Sequence, residues 1–172
     1  AKAPGAYGLS LALGGAELSL EELASLYAAL ATDGIPRPLR FTTSVNGERS
    51  ASQGAVLLSP AARWMTLDAL RDPRSHAPSG LAWKTGTSYG HRDAWSVGFS
   101  KRYTIGVWVG NFDGRGQKGI SGSEHAAPLL FDLFRTIEGR APRPQTTYAD
   151  LERLEVCALS HELPRPDCAK TI

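Results

Sequence analysis

The chain has 172 residues, about one domain's worth, and carries 19 Lys and Arg against 17 Asp and Glu for a net charge of +2. That balance excludes a basic nucleic-acid arm or an acidic tail as the main business of the chain. A 42% hydrophobic content with four Trp, five Tyr and five Phe excludes disorder on composition grounds, and the 29 Gly and Pro fall short of low complexity.

The stretch from Ala3 to Ala16 is uncharged but broken by Gly5, Gly8, Gly14 and Gly15. It lacks a basic leader with an apolar centre, so it does not read as a signal peptide, and no apolar run approaches the ~18 residues of a membrane span. The chain starts at Ala1 and reads as a piece of something longer. Ser19 and Glu22 form a capping box, so the first helix is predicted from Ser19 to about Asp33. Leu20, Leu23, Leu26, Tyr27 and Leu30 make its apolar stripe, and Gly34 and Pro36 stop it. Residues 39–53 alternate polar and β-branched side chains around Asn46-Gly47, a hairpin signal. Ser59 and Pro60 open a second helix through Trp64, Leu67 and Leu70, ended by Pro73.

Three strands follow at short spacing: Leu81–Ser88, Ala94–Lys101 and Tyr103–Asn111. Short connections predict antiparallel neighbours, with Ile105, Val107 and Val109 on one face. A last helix is expected from near Glu124 to Glu138, burying Leu129, Leu130, Leu133, Phe134 and Ile137. After Gly139 the run Arg140–Pro144 has the composition of a linker. The predicted fold class is α+β, helices covering an antiparallel sheet. Residues 80–119 carry a net +4, whereas residues 1–60 come to −1. A positive field at the sheet suits an anionic ligand group such as a carboxylate; it equally suits a solvated edge strand that resists aggregation.

Five motifs are weighed for chemistry. Lys84-Thr85-Gly86 lies inside a predicted strand, followed by Thr87 and Ser88. K-T-G is a mark of penicillin-interacting serine enzymes. An extended peptide can pair with a free strand edge, Gly86 has no side chain to block it, and Lys84 supplies fixed charge. The hydroxyls of Thr85 and Thr87 can hold a terminal carboxylate, and a backbone N–H near Thr87 can face a developing oxyanion. The plain alternative is an edge strand with a lysine gatekeeper. Gly114 to Gly119 fits G-x-G-x-x-G, yet Ile120–Ser123 separate it from a helix and the strands before it read as antiparallel, so a flexible loop competes with nucleotide binding. His91 and Asp93 lack a G-x-S-x-G partner, and Ser44-Val-Asn46 reads as a turn. Cys157 and Cys168 are the only cysteines. A disulfide there would contribute about 3 kcal/mol in an oxidising compartment, and a metal reading would need His161 and Asp167 at spacings that match no common zinc pattern.

The whole pattern resembles the class A penicillin-binding proteins. Residues 6–17 ahead of the Ser19 helix look like the stretch after their S-x-N element. Residues 84–88, 93–99 and 107–114 look like their KTG strand and the two strands beyond it, and the segment at Cys157 resembles the start of an extra C-terminal domain in one subgroup. The resemblance implies a transpeptidase fold of the penicillin-binding-protein/β-lactamase kind. Residues 1–139 would be the C-terminal half of that domain, and 140–172 a linker and the start of a following domain. It implies a periplasmic peptidoglycan synthase anchored in the inner membrane, with an upstream glycosyltransferase domain. Its partners would be D-Ala-D-Ala stem peptides and β-lactams; no nucleic acid, metal or cofactor is expected. By the same resemblance Lys84 orients charge and protons, Thr85 and Thr87 bind the substrate carboxylate with Ser88 nearby, and the Thr87 N–H joins the oxyanion hole. No serine here has a lysine three residues on, so the nucleophile would lie before Ala1, as would the membrane anchor. A non-catalytic binding module of the same fold and a nucleotide-binding unit at Gly114–Gly119 remain as alternatives.

Overall fold

The computed structural model describes residues 7–42, 54–71, 76–138, 151–152 and 154–172. Its helices are α1 (Leu20–Ala31), α2 (Pro60–Ala69) and α3 (Ala127–Glu138); its strands are β1 (Ala82–Thr87), β2 (Asp93–Phe99) and β3 (Thr104–Gly110). A 3-10 turn covers Gly8–Leu13, and a five-residue π turn, Gly122–Ala126, leads into α3. The strands form one antiparallel sheet in the order β1-β2-β3, as the short connections predict.

The local signals read in the sequence set the helix starts. Ser19 Oγ accepts the Glu22 N–H and the Glu22 carboxylate accepts the Ser19 N–H, at 3.1 and 2.8 Å. Gly34, at φ +82°, closes the other end of α1 by donating to the Ala29 carbonyl at 2.8 Å. Ser59 caps α2 with Pro60 in the first turn. Hydrogen bonds to Ser19 hold the Glu22 carboxyl below its ordinary range, and the Arg37 guanidinium holds Asp33 far below. Because both folded values are depressed, their contribution to α1 is present above the unfolded carboxyl range and fades as pH falls through the lower folded values.

The core lies between the sheet and α3. Leu81, Ala94, Val107, Ile120, Ala126, Ala127, Leu130, Phe131 and Phe134 form one buried cluster, with Ile105 and Val109 packed against it. Trp83 meets Phe131 edge-on at 4.9 Å between centroids. Gly98 lies beneath α3: a Cβ there would stand 3.0 Å from Leu130 Cδ2 and 3.2 Å from Phe134 Cε2. The opposite sheet face receives α1, through Tyr27 against Phe99 and Leu20 over Gly106. Burial also raises the Tyr27 hydroxyl pKa.

Three expectations need correction. The last helix begins at Ala127, because the five residues before it form the wider π turn. Its buried face is Ala127, Leu130, Phe131 and Phe134, while Leu129, Leu133 and Ile137 are about half exposed. Apolar residues occupy more of this helix's circumference than one sheet can cover, so the contact surface selects the i, i+3, i+4, i+7 set that includes Phe131. The α1 stripe packs as a partly buried face: Leu23, Leu26, Tyr27 and Leu30 are half-buried, Leu20 is more exposed, and Ala29 is fully inside. Helix α2 stops at Ala69 with Leu70 as its cap; Pro73 lies outside the described residues, as do Ser44–Gln53 and the Gly139–Asp150 run.

Truncating Leu130 to Ala should cost about 2–5 kcal/mol in urea unfolding, and Leu133→Ala less than about 1 kcal/mol. The reverse order would mean that the helix face is wrongly placed. Ser96 is fully buried and its hydroxyl has no partner among the described residues. Ser96→Ala should therefore leave stability unchanged or raise it by up to about 1 kcal/mol in the same assay.

Candidate functional site

Among the described residues β1 has one strand neighbour, β2, so its other edge carries its own ladder of N–H and C=O groups. Two bonds fix which residues face that edge. Ser88 N–H donates to Asp93 O at 3.0 Å on the β2 side, and Trp83 N–H donates outward to Leu70 O, at the end of α2, at 3.1 Å. Alternation along an antiparallel strand then turns the N–H and C=O of Thr85 and Thr87 to the open edge, while Lys84 and Gly86 bond to β2.

The pleat separates the side chains as well. Thr85 and Thr87 share the α3 face with Trp83. Thr87 Oγ1 accepts the Gly122 N–H of the π turn at 3.0 Å. Lys84 and Gly86 stand on the α1 face, opposite Val97 and Trp95. Lys84 nevertheless returns to the edge, where its Nζ donates to the Thr85 carbonyl at 2.6 Å. The ammonium thus meets a backbone oxygen rather than the threonine hydroxyls. A Cβ at Gly86 would make ordinary contact with Trp95 Cβ at 3.8 Å, so the fold itself leaves room there.

Ser88 lies where β1 enters its turn. Its Oγ accepts the Asp93 N–H at 2.9 Å and its carbonyl accepts the His91 N–H at 3.1 Å. His91, at φ +54°, has its Nδ1 2.8 Å from the Ile120 carbonyl, and Asp93 Oδ1 accepts the Trp108 indole N–H at 2.8 Å. These two side chains hold a turn and an indole, not each other. Sequence reasoning missed the aromatic ladder beside Lys84. Trp95 and Trp108 pair across β2 and β3 at 6.4 Å, and Trp108 continues to the fully exposed Phe112 at 5.3 Å. Tryptophans at matching positions of neighbouring strands were the available signal.

The Gly114–Gly119 run makes no dinucleotide loop. Antiparallel strands precede it, a π turn follows it, and a Cβ on Gly116 would lie 2.2 Å from the Gly90 carbonyl oxygen. The run docks on the β1–β2 turn, with Gln117 N–H donating to the His91 carbonyl at 3.0 Å. An apolar groove between α1 and the 36–39 segment is lined by Leu18, Leu26, Pro36 and Leu39 together with Glu21 and Glu22, and the Glu22 carboxylate is already engaged by the Ser19 cap. Cys157 and Cys168 are joined, with Cα atoms 5.9 Å apart, and Cys157 bridges to Thr171. No group of three His, Cys, Asp or Glu suited to a metal occurs among the described residues. No helix among them is long and apolar enough to cross a membrane.

No family model matches the chain. Among curated proteins it is 36% identical over 151 residues to penicillin-binding protein 1C of Escherichia coli, covering 80% of this chain and 19% of that protein. It is 33% identical over 150 residues to penicillin-binding protein 1A of Aquifex aeolicus, covering 77% of this chain and 20% of the relative. It is 30% identical over 118 residues to penicillin-binding protein 1A of Clostridium botulinum, covering 63% and 14%. The chain spans about a fifth of the length of the first two relatives. Over that span, the chain belongs to the class A penicillin-binding proteins.

Proposed function

We propose that this chain is the C-terminal half of a D,D-transpeptidase domain and that the open edge of β1 is its substrate strand. One observation carries the reading: β1 offers the outward amides of Thr85 and Thr87, two threonine hydroxyls on one face and the Lys84 ammonium at the same edge. Such an edge can take an extended peptide by main-chain pairing. Thr87 and Thr85 hold the terminal carboxylate, the Thr87 N–H joins the oxyanion hole, and Lys84 lends positive charge beside it. Ser88 fixes the strand end.

The reaction is acyl transfer. A serine oxygen attacks the carbonyl of a D-Ala-D-Ala peptide, its proton passes to a lysine base, and the C–N bond breaks to release D-alanine. A neighbouring stem-peptide amine then displaces the serine and completes the cross-link. A β-lactam enters the same first step, and its ring opens instead of releasing a fragment. The reaction calls on no cofactor. No S-x-x-K occurs in the 172 residues, so the nucleophile and its lysine come from polypeptide ahead of Ala1. That polypeptide also supplies the glycosyltransferase domain and the anchor in the bacterial inner membrane, and the domain works in the periplasm. Residues 1–139 complete the transpeptidase, and 140–172 lead to a further domain.

Fluorescent penicillin tests this directly. The chain alone should show no covalent band after denaturation, and the longer polypeptide that includes the S-x-x-K serine should be labelled. A labelled band at the mass of this chain would refute the placement of the nucleophile. Reversible retention on immobilised penicillin without labelling of either form would favour a binding module. Leu9 and Leu13 are more than nine-tenths exposed and Leu129, Leu133 and Ile137 about half. The isolated chain should therefore self-associate in sedimentation velocity, and the upstream half supplied in trans should reverse it.

A further inference from the structure

We propose that Gly122 is the positioning residue of the β1 edge, its amide holding Thr87 Oγ1 so that the hydroxyl proton is presented to an anionic acceptor. The inference rests on the substrate-strand reading above and extends it to a residue outside the K-T-G segment.

Two sets of contacts support it. A Cβ on Gly122 would stand 2.5 Å from both Gly86 O and Trp95 O and 3.0 Å from Gly86 N. Those are backbone atoms of two paired strands, which cannot swing aside as a flexible side chain would. Glycine at this position therefore lets the π turn touch the strand that carries Thr85 and Thr87. The second contact is the 3.0 Å bond from Gly122 N–H to Thr87 Oγ1. A threonine hydroxyl has one proton and two acceptor sites. The Gly122 amide fills one acceptor site, and a proton turned toward that amide would be repelled. No acceptor among the described residues takes the hydroxyl proton. Thr87 is β-branched, so its χ1 is stiff and its oxygen stays where the amide holds it. The edge thus offers an oriented donor, which suits a carboxylate and disfavours its neutral ester.

The π turn explains why this amide reaches so far. The Ala127 N–H bonds to the Gly122 carbonyl five residues back, which widens the turn over β1 and β2. Ser121 caps the same turn by accepting the Glu124 N–H at 3.3 Å.

The test uses the longer polypeptide with its nucleophilic serine and compares acylation by benzylpenicillin with acylation by its methyl ester. A charge-assisted hydrogen bond predicts that the unsubstituted protein prefers the free acid by about tenfold or more. Gly122→Ala should lower that preference about tenfold, through weaker binding of the acid rather than slower acylation of the bound complex. Thr87→Val should do the same, and Thr87→Ser should keep the preference within about threefold. A purely structural role would slow both compounds alike and leave the ratio unchanged, which overturns the proposal. If Gly122→Ala does not fold, glycine-selective amide exchange on the 172-residue chain decides the matter. Thr87→Val should speed exchange at Gly122 about tenfold and Thr87→Ser should not; equal rates overturn the proposal. An unsubstituted protein that penicillin does not acylate overturns the substrate-strand reading itself, an outcome separate from an unchanged ratio.

Discussion

The contact between Gly98 and α3 governs the arrangement of the molecule. With no side chain at Gly98, Leu130 and Phe134 descend to the surface of β2 and become almost wholly buried. That depth sets the height of α3 above the sheet, and the height fixes where the preceding π turn meets β1. A Cβ at 98 would stand 3.0 Å from Leu130 Cδ2 and 3.2 Å from Phe134 Cε2, so these side chains would have to give by a few tenths of an ångström in an interior with little slack. The Ser100 hydroxyl on the Glu138 carboxylate ties the other end of α3 to the β2–β3 turn. The helix is therefore pinned at both ends of its crossing.

An open strand edge is an aggregation hazard, and this molecule guards only part of it. The start of β1 is closed where Leu70 O accepts the Trp83 N–H, and the Thr85 carbonyl is met by the Lys84 ammonium. The amides of Thr85 and Thr87 face outward on either side of that carbonyl. A partial guard of this kind tolerates a short extended peptide and resists a long sheet. The lysine is thus at once the gatekeeper of the plain reading and a charged group of the functional one, and the two roles do not compete.

How much of this was legible in the sequence depends on how local each signal is. The Ser19 capping box, the Ser59-Pro60 start and the three strands appear where short-range patterns place them, because each is settled within a few residues. The buried face of α3 was not, since Leu129, Leu130, Phe131, Leu133, Phe134 and Ile137 form an arc that the helix alone cannot resolve. Only contact with Gly98 selects Leu130 and Phe134. The π turn carries no sequence mark, and the glycine that matters there, Gly122, gains its meaning from backbone atoms 36 and 27 positions earlier. Within the K-T-G segment the residue types were readable, and so was alternation. Lys84 and Thr85 had to fall on opposite faces, which a reading by motif alone passes over.

The bond between Cys157 and Cys168 has a mechanical consequence. A pull along the chain that enters at Cys157 crosses the sulfurs and leaves at Cys168, so the residues between them carry no load. Stretched without that bond, the 11-residue separation would span about 36–40 Å, a gain of roughly 30–34 Å over its folded spacing. With it, the two ends stay near their folded spacing of 5.9 Å. The terminal segment then behaves under tension as a short, stiff link whose reach changes when the sulfurs are reduced, and the redox state of its surroundings sets how far anything attached beyond Ile172 can travel.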